Sequence, residues 1–436
     1  MKPIRVGLLG LGTVGRGTYE ILRRNQEEIK RRAGRGIEIV GIAVRDTTKA
    51  RAVVGGSIDV TDNAEQLVGS DAIDIVVELI GGFDPARSLV LEAIRGRKHV
   101  VTANKALLAV HGNEIFAAAH RAGVMVAFEG AVGGGIPIIK ALREGLTANR
   151  IEWIAGIING TSNFILSQMR ATGASFESAL AQAQALGYAE ADPRFDIDGV
   201  DAAHKLTILC SIAFGVPIRF EAAYMEGIGK LAAADVRYAE QLGYRIKLLG
   251  ITKRTAHGIE LRVHPTLVPM QRLLASVEGA MNAVLVKGDA VGNTLYYGPG
   301  AGAEPTASAV VADLVDVTRT HTVDPYNRVP HLAFQPNALA NLPWLSIEET
   351  ITSYYFRMRV ADQPGVLADI ARILADHRIS IDAMFQREPS EGENQTDIIL
   401  LTHEALERDV NAAVARIEAL PTVLAPVIRI RQEELV

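Results

Sequence analysis

Ile4–Leu9 is a short apolar run of β-forming residues, and Gly10-Leu11-Gly12-Thr13-Val14-Gly15 follows it directly. Helical spacing then continues through Tyr19, Ile21 and Leu22. A strand, a glycine turn and a helix in that order are the setting in which GxGxxG binds a dinucleotide. Gly10 permits the tight turn, Gly12 lets backbone approach a pyrophosphate, and Gly15 lets helix and strand pack closely. The helix N-terminus then faces the phosphates. The charged segment Arg23–Arg35 is expected to lengthen this first helix.

The second strand, Ile37–Val44, ends in Arg45-Asp46. A carboxylate there binds the ribose hydroxyl of NAD, and an arginine suits the 2′-phosphate of NADP. Arg45 comes first, with Lys49 and Arg51 behind it, so NADP is favoured; the neighbouring Asp46 keeps NAD open. Strand and helix patterns then alternate: Ala72–Ile80, Pro85–Arg95, His99–Thr102, Gly112–Ala122 and Val124–Phe128. This succession means a parallel sheet covered on both faces. Thr102-Ala103-Asn104-Lys105 falls at a strand's carboxyl end, where such sheets bind ligands, so Lys105 is expected in the cofactor cleft.

Residues 1–130 thus read as a dinucleotide-binding domain, and Gly130–Pro137 as a glycine-rich hinge into an α+β domain over 131–350. The hinge exposes carbonyls able to hold a cation or line a cleft. In the second domain, Asn159-Gly160-Thr161-Ser162-Asn163 stands before a helix, Phe164–Arg170. Polar groups and free N–H donors at a helix start can cap it or grip a carboxylate. Ser175 is placed to cap Phe176–Leu186.

An acidic stretch runs from Gly187 to Lys205 and carries Tyr188, Glu190, Asp192, Asp196, Asp198 and Asp201. Pro193 and Gly199 make Glu190–Gly199 a loop, and Asp201–Lys205 opens an apolar helix. Residues four apart share a helix face, so Asp201 and Lys205 are neighbours. Such a pair, considered alone, is usually surface decoration. An EF-hand calcium loop needs glutamate at its twelfth position; counting from Asp192 or Asp196 reaches Ala203 or Thr207, so calcium is excluded. A lysine beside a loop of acids suits a small zwitterion. Further on, Arg237–Leu242 reads as helix, and Arg245–Thr252, Glu260–Val263, Leu285–Lys287 and Leu295–Tyr297 as strands. A second glycine loop, Gly298–Ala303, leads into the helix Thr306–Arg319.

Residues 351–436 repeat a different pattern: strand Tyr354–Val360, turn Asp362–Gly365, helix Val366–His377, strand Ile381–Gln386, polar turn Ser390–Asn394, strand Thr396–Leu401, helix Glu404–Leu420 and strand Val427–Arg431. That order is βαββαβ, the ferredoxin-like arrangement. It brings no catalytic group and is expected to be separable from the catalytic part.

The chain of 436 residues is too long for one core. Its net charge of −5 argues against nucleic acid, and its single cysteine, Cys210, excludes an internal disulfide and a cysteine-rich zinc site. No apolar run approaches the roughly 20 residues of a membrane span. The N-terminus reads as a strand, not a signal peptide. A soluble, cytoplasmic α/β protein is expected.

Taken together these segments resemble homoserine dehydrogenases. The specific ones are TANKALL (Thr102–Leu108), EGAVGGGIP (Glu129–Pro137), NGTSNFIL (Asn159–Leu166), the acidic stretch, and GPGAGAEPTASAV (Gly298–Val310). The C-terminal region resembles an ACT domain, with DQPGVL (Asp362–Leu367) as its signature. The resemblance implies NAD(P)-dependent interconversion of L-aspartate 4-semialdehyde and L-homoserine, with threonine as inhibitor. It implies Lys205 as proton donor, Lys105 as a second active-site lysine, and Glu190 and Asp201 as substrate-binding carboxylates, with Gly160, Thr161 and Tyr188 beside them. It implies a sodium ion held by Glu129, Val132, Gly134 and Ile136, and a backbone contact from Gly302 to the cofactor. Asp362 and Gly365 would serve regulation, and the assembly would be a homodimer or homotetramer. An alkoxide formed from an aldehyde needs a nearby ammonium to stabilise and protonate it, which agrees with these roles. Two rivals remain at this stage: an amino-acid dehydrogenase forming an imine on the same scaffold, and a non-catalytic amino-acid sensor.

Overall fold

The computed structural model describes residues 2–386 and 394–436. The turn expected at 390–394 lies, up to residue 393, outside the described residues. In chain order the elements begin β1 (Ile4–Leu9), α1 (Thr13–Arg24), α2 (Gln26–Ala33), β2 (Ile37–Ala43), α3 (Thr47–Val54), β3 (Asp59–Thr61), α4 (Ala64–Gly69), β4 (Ile75–Glu78), α5 (Ala86–Arg95), β5 (His99–Thr102), α6 (Lys105–Ala122) and β6 (Val126–Ala127). They continue α7 (Ile138–Lys140), β7 (Ile151–Ile157), α8 (Gly160–Thr172), α9 (Phe176–Ala185), α10 (Arg194–Ile197), α11 (Val200–Phe214), β8 (Tyr224–Met225), α12 (Ala233–Gln241), β9 (Tyr244–Arg254), β10 (Ile259–Pro269), β11 (Met281–Gly288), β12 (Gly292–Pro299) and α13 (Ala303–Thr320). The remainder is β13 (Ile351–Ala361), α14 (Val366–Asp376), β14 (Ile381–Gln386), β15 (Gln395–Thr402), β16 (Ala405–Leu406), α15 (Glu407–Glu418) and β17 (Ile428–Gln432). These fall into two compact units: residues 1–154, 204–221 and 282–342 form the first, and 155–203, 222–281 and 343–436 the second.

In the first unit a six-stranded sheet runs β3-β2-β1-β4-β5-β6, with every pair parallel. Strands such as Ile75–Glu78 are buried throughout, as a parallel sheet covered on both faces requires. Val6, Leu8, Ile42, Val77 and Val101 share a core with Val310 and Leu314 of α13. Helix α1 packs so closely on α13 that a Cβ on Gly17 would lie 2.7 Å from the Ala303 carbonyl oxygen. The expected long first helix is instead two. Asn25 leaves helical geometry (φ −108°, ψ 22°) between α1 and α2, in keeping with the preference of asparagine for helix ends. Strand β3 and helix α4 were too short to leave a period in the sequence.

In the second unit the strands β9, β10, β17, β13, β15 and β14 lie in that order. The expected βαββαβ succession is present from β13 to β17, with its own core of Phe356, Ile370, Leu374, Leu400 and Val410. Separability of this region needs correction. Strand β17 pairs antiparallel with β13 and parallel with β10, through Thr266↔Arg431 and Leu267↔Gln432. Buried charges lock the same seam. Arg262, 1% exposed, binds Glu433 at 2.6 Å and Glu260 at 3.0 Å. Arg431 reaches Glu226 at 2.7 Å and Glu407 at 2.8 Å, and Arg357 holds Asp235 at 2.6 Å. Among the described residues no helix is long and apolar enough to cross a membrane.

Candidate active site

The cofactor side is built at the carboxyl edge of the first unit's sheet. Gly10 adopts φ +91°, and a Cβ there would meet the Leu79 carbonyl oxygen at 2.8 Å. A Cβ on Gly15 would lie 2.2 Å from the Gly10 oxygen, whereas one on Gly12 would meet nothing within 4 Å. Gly10 and Gly15 therefore close the turn, and Gly12 leaves room over it. Leu11 completes the loop, Thr13 and Val14 open α1, and no side chain caps that helix. Open backbone at an uncapped helix start fits a dinucleotide pyrophosphate.

On the adjacent strand's end, Arg45 is exposed, while Asp46 caps α3 by accepting from the Lys49 amide at 3.0 Å. Lys105 is the first residue of α6 and lies two strands from the glycine loop, roughly 10 Å by ordinary strand spacing. The strand end that leads into it is braced by Glu78, a fully buried carboxylate not marked by any sequence motif. Glu78 accepts from the Thr102 hydroxyl at 2.6 Å and from the amides of Ile80 and Gly81 at 2.8 and 3.1 Å. Asn104 then caps α6 and binds the Gly82 carbonyl at 2.7 Å. The clue was a glutamate closing an apolar strand, a residue seldom buried without partners.

The EGAVGGGIP segment forms a second cluster in this unit. Glu129 is 2% exposed; its carboxylate oxygens accept from the Ile139 and Lys140 amides at 2.9 and 2.8 Å, and its own amide donates to Asp313 at 2.7 Å. Burial, reinforced by Asp313, pushes the Glu129 carboxyl up to about 7. Gly133 and Gly134 adopt φ +75° and +54°, and a Cβ on Gly134 would meet Gly300 backbone at 2.6 Å. The two glycine loops therefore pack backbone to backbone, and Gly302 starts α13 at φ +120°. A buried carboxylate whose charge is disfavoured, next to the carbonyl-bearing turn of Val132, Gly134 and Ile136, fits a hard cation with oxygen ligands. Among the described residues no group of three or more histidine, cysteine, aspartate or glutamate side chains is placed to hold a metal.

The acidic stretch is tied to the start of α8 in the second unit. Asn159 caps α8 by accepting from the Ser162 amide at 2.8 Å. Its Nδ2 donates to Asp196 at 2.7 Å and to Asp201 at 2.8 Å. The expected loop 190–199 contains the short helix α10, which carries Asp196. The Thr161 hydroxyl donates to the Tyr188 carbonyl at 2.7 Å, and Gln184 holds the Glu190 carbonyl at 3.1 Å. Gly160, Thr161, Tyr188 and Asp201 are thereby gathered at the start of α8, while Glu190 is tied through its backbone to α9; the Glu190 and Tyr188 side chains are exposed. Asp201 and Lys205 lie one turn apart on α11 and are 4% and 8% exposed. Surface decoration does not describe them. Asp362 and Gly365 occupy the exposed turn after β13, where Gly365 takes φ +97° and has open space around it.

A dinucleotide-binding sheet joined to an α+β part with a buried lysine and carboxylates, followed by a βαββαβ region, is the architecture of an NAD(P)-dependent oxidoreductase. Comparison gives the family. The sequence family described as homoserine dehydrogenase matches residues 137–315, its NAD-binding domain matches 10–129, and the ACT domain matches 354–422. The chain belongs to the homoserine dehydrogenases. It is 61% identical to the homoserine dehydrogenase of Pseudomonas aeruginosa, with all of both chains covered. A crystal structure of homoserine dehydrogenase from Thiobacillus denitrificans is 68% identical, covering 100% of this chain and 99% of that one at a TM-score of 0.95. A hyperthermophilic archaeal homoserine dehydrogenase, solved in complex with NADPH, is 27% identical and covers 73% of this chain and 98% of that one, with a TM-score of 0.63.

Proposed function

We propose that this homoserine dehydrogenase reduces L-aspartate 4-semialdehyde with Lys205 as the proton donor to the nascent alkoxide. The supporting observation is the burial of Lys205 and Asp201 one helical turn apart. An ammonium withdrawn from water stabilises developing negative charge far better than one on a surface. NAD(P)H, when bound, supplies the hydride. Lys105, which follows Asn104 and the strand end braced by Glu78, is the second active-site lysine. Glu190 and Asp201 take the substrate ammonium, and the N–H groups of Gly160 and Thr161, with Tyr188, take its carboxylate.

NADP is the preferred cofactor in this reading, because Asp46 is engaged as a helix cap while Arg45 is exposed. Gly302 offers backbone to the cofactor, and Glu129 with the carbonyls of Val132, Gly134 and Ile136 holds sodium. We assign cofactor binding to 1–130, substrate binding and dimerisation to 131–350, and regulation to 351–436. Threonine is the proposed effector, acting at the Asp362–Gly365 turn of a cytoplasmic homodimer or homotetramer. The test is turnover of aspartate semialdehyde with NADPH and with NADH, each with and without threonine. Faster turnover with NADH than with NADPH overturns the cofactor assignment, and turnover indifferent to threonine overturns the effector.

A further inference from the structure

The second unit contains a cavity of about 220 Å³ that none of the roles above uses. One ordered water needs roughly 10–15 Å³, so there is room for a small organic ligand. One wall is the segment Glu226–Leu231, and the other comes from α15 and the start of β17, including Val414 and Arg429. Leu231, Val414, Val427 and Ile428 give it an apolar floor.

Both signs of charge line it. The Arg431 guanidinium and the Tyr224 hydroxyl both bind Glu226 through Oε2, at 2.7 and 2.9 Å, and neither uses Oε1. Lys230 is exposed and makes no ion pair among the described residues. Arg429 pairs with Glu407 at 3.1 Å. An α-amino acid has the matching shape: a carboxylate for Lys230 and Arg429, an ammonium for Glu226, and a small side chain for the floor.

The wall next to the cavity is coupled to the acidic stretch. Gly227 lies so close to α10 that a Cβ would be 2.4 Å from the Ile197 carbonyl oxygen, which also accepts from the Ile228 amide at 2.9 Å. Ile197 follows Asp196, and Asp196 shares Asn159 with Asp201. Pressure on Glu226–Gly227 therefore reaches Asp201 through four short links: Gly227 to Ile197, the Ile197–Asp196 peptide bond, Asp196 to Asn159 and Asn159 to Asp201.

We infer that this cavity is an effector site for a small α-amino acid, distinct from the Asp362–Gly365 turn, and that its occupancy shifts the Asp196–Asn159–Asp201 network. A ligand acts this way only by binding one arrangement of the wall better than another. The inference rests on the substrate role proposed for Asp201 only for its effect on activity, not for binding.

The test is calorimetric titration of the full-length protein with L-threonine, L-serine and L-valine, alongside KM for aspartate semialdehyde. Wild type and Gly365→Asp should both bind at least one of the three saturably. Lys230→Ala, at an exposed position, should weaken that binding by about tenfold or more, the worth of one charge-assisted hydrogen bond. Lys230→Arg should keep it, and Val414→Phe, which fills the floor, should abolish it. The bound amino acid should change KM in wild type and not in Val414→Phe. The inference is overturned if none of the three binds wild type, or if Lys230→Ala and Val414→Phe bind as wild type does. Loss of binding in Gly365→Asp alone would place the effector at the turn instead. Binding that persists without any change in KM would refute the coupling to Asp201.

Discussion

Asn159 and Asp201 are joined by a 2.8 Å hydrogen bond from the asparagine amide to the aspartate carboxylate. The same amide nitrogen reaches Asp196 at 2.7 Å while its oxygen caps α8. One side chain thus ends a helix and holds two acids in register.

Asn159→Ala should therefore do two things. Loss of the cap should cost about 0.5–2 kcal/mol, read as a lower urea midpoint. Loss of the bridge should raise KM for the amino-acid substrate, because Asp201 loses the Asn159 hydrogen bond that holds it in register with Asp196. Replacement by serine should restore more of the stability than of the KM, since serine caps a helix but reaches less far. Equal recovery of both would show that Asn159 acts through the cap alone.

Lys205→Ala should lower kcat by ~10²–10⁴, the usual range for general acid–base catalysis. NADPH binding, measured by fluorescence titration, should stay near wild type, since the contacts proposed for it lie at the glycine loop and Arg45. A variant that retains wild-type kcat would remove Lys205 from the chemistry.

Much of this was legible in the sequence because the signals were local. The glycine spacing of residues 10–15 fixed a strand, a turn and a helix, and Ser175 was recognisable as a cap. The bridging role of Asn159 was not legible: its capping of α8 depends on the next few residues, but its acids lie 37 and 42 residues away. Glu78 escaped for the same reason, since Thr102 is 24 residues on. Lys247 is a further case. It is 2% exposed, bound to the Val277 carbonyl and to Asn163 at 3.3 Å, and nothing in the run YRIKLLG distinguishes it from a surface lysine.

Arg45→Ala should raise KM for NADPH and leave NADH nearly unchanged, because only NADPH carries the 2′-phosphate. Asp46→Ala removes the cap of α3 and should affect both cofactors alike, with a stability loss of about 1 kcal/mol. Equal losses for both cofactors in Arg45→Ala would point to folding of the loop instead.

The Glu129 carboxyl titrates near 7 in the folded protein against an ordinary 4.5, chiefly through burial. A folded value above the unfolded one means the folded state binds the extra proton between them. The stability associated with that proton is present below about 4.5 and is lost as pH rises through about 7. Glu129→Gln should flatten this part of the pH–stability curve. Sodium, if it binds here, favours the ionised carboxylate and should flatten it in wild type as well; potassium chloride at equal ionic strength is the control.

Arg431→Ala should be among the most destabilising single changes in the second unit. It takes from Glu407, 1% exposed, a buried guanidinium partner, leaving it Arg429 at 3.1 Å and the Tyr354 hydroxyl at 2.7 Å, and it removes a partner from Glu226. Breaking a buried pair from one side costs about 3–5 kcal/mol. A chain ending near Ile347 should lose more, because β10 would also lose the strand beside it. Chemical denaturation followed by circular dichroism measures both, and a truncated chain as stable as the full one would mean that the seam contributes nothing.

The Arg262–Glu433 pair, between β10 and the residue that follows β17, joins residues 171 positions apart in sequence. During synthesis β10 leaves the ribosome long before its partner strand exists. Until then the part of its edge beyond the short β8 pairing, at Thr266 and Leu267, stays unpaired, the kind of surface on which nascent chains pair with one another. Non-local pairings of this sort also close slowly. The hazard for this enzyme is therefore one of timing. Variants that leave the finished protein sound but delay the arrival or docking of β17 should lower its yield in the cell without changing the specific activity of what is recovered.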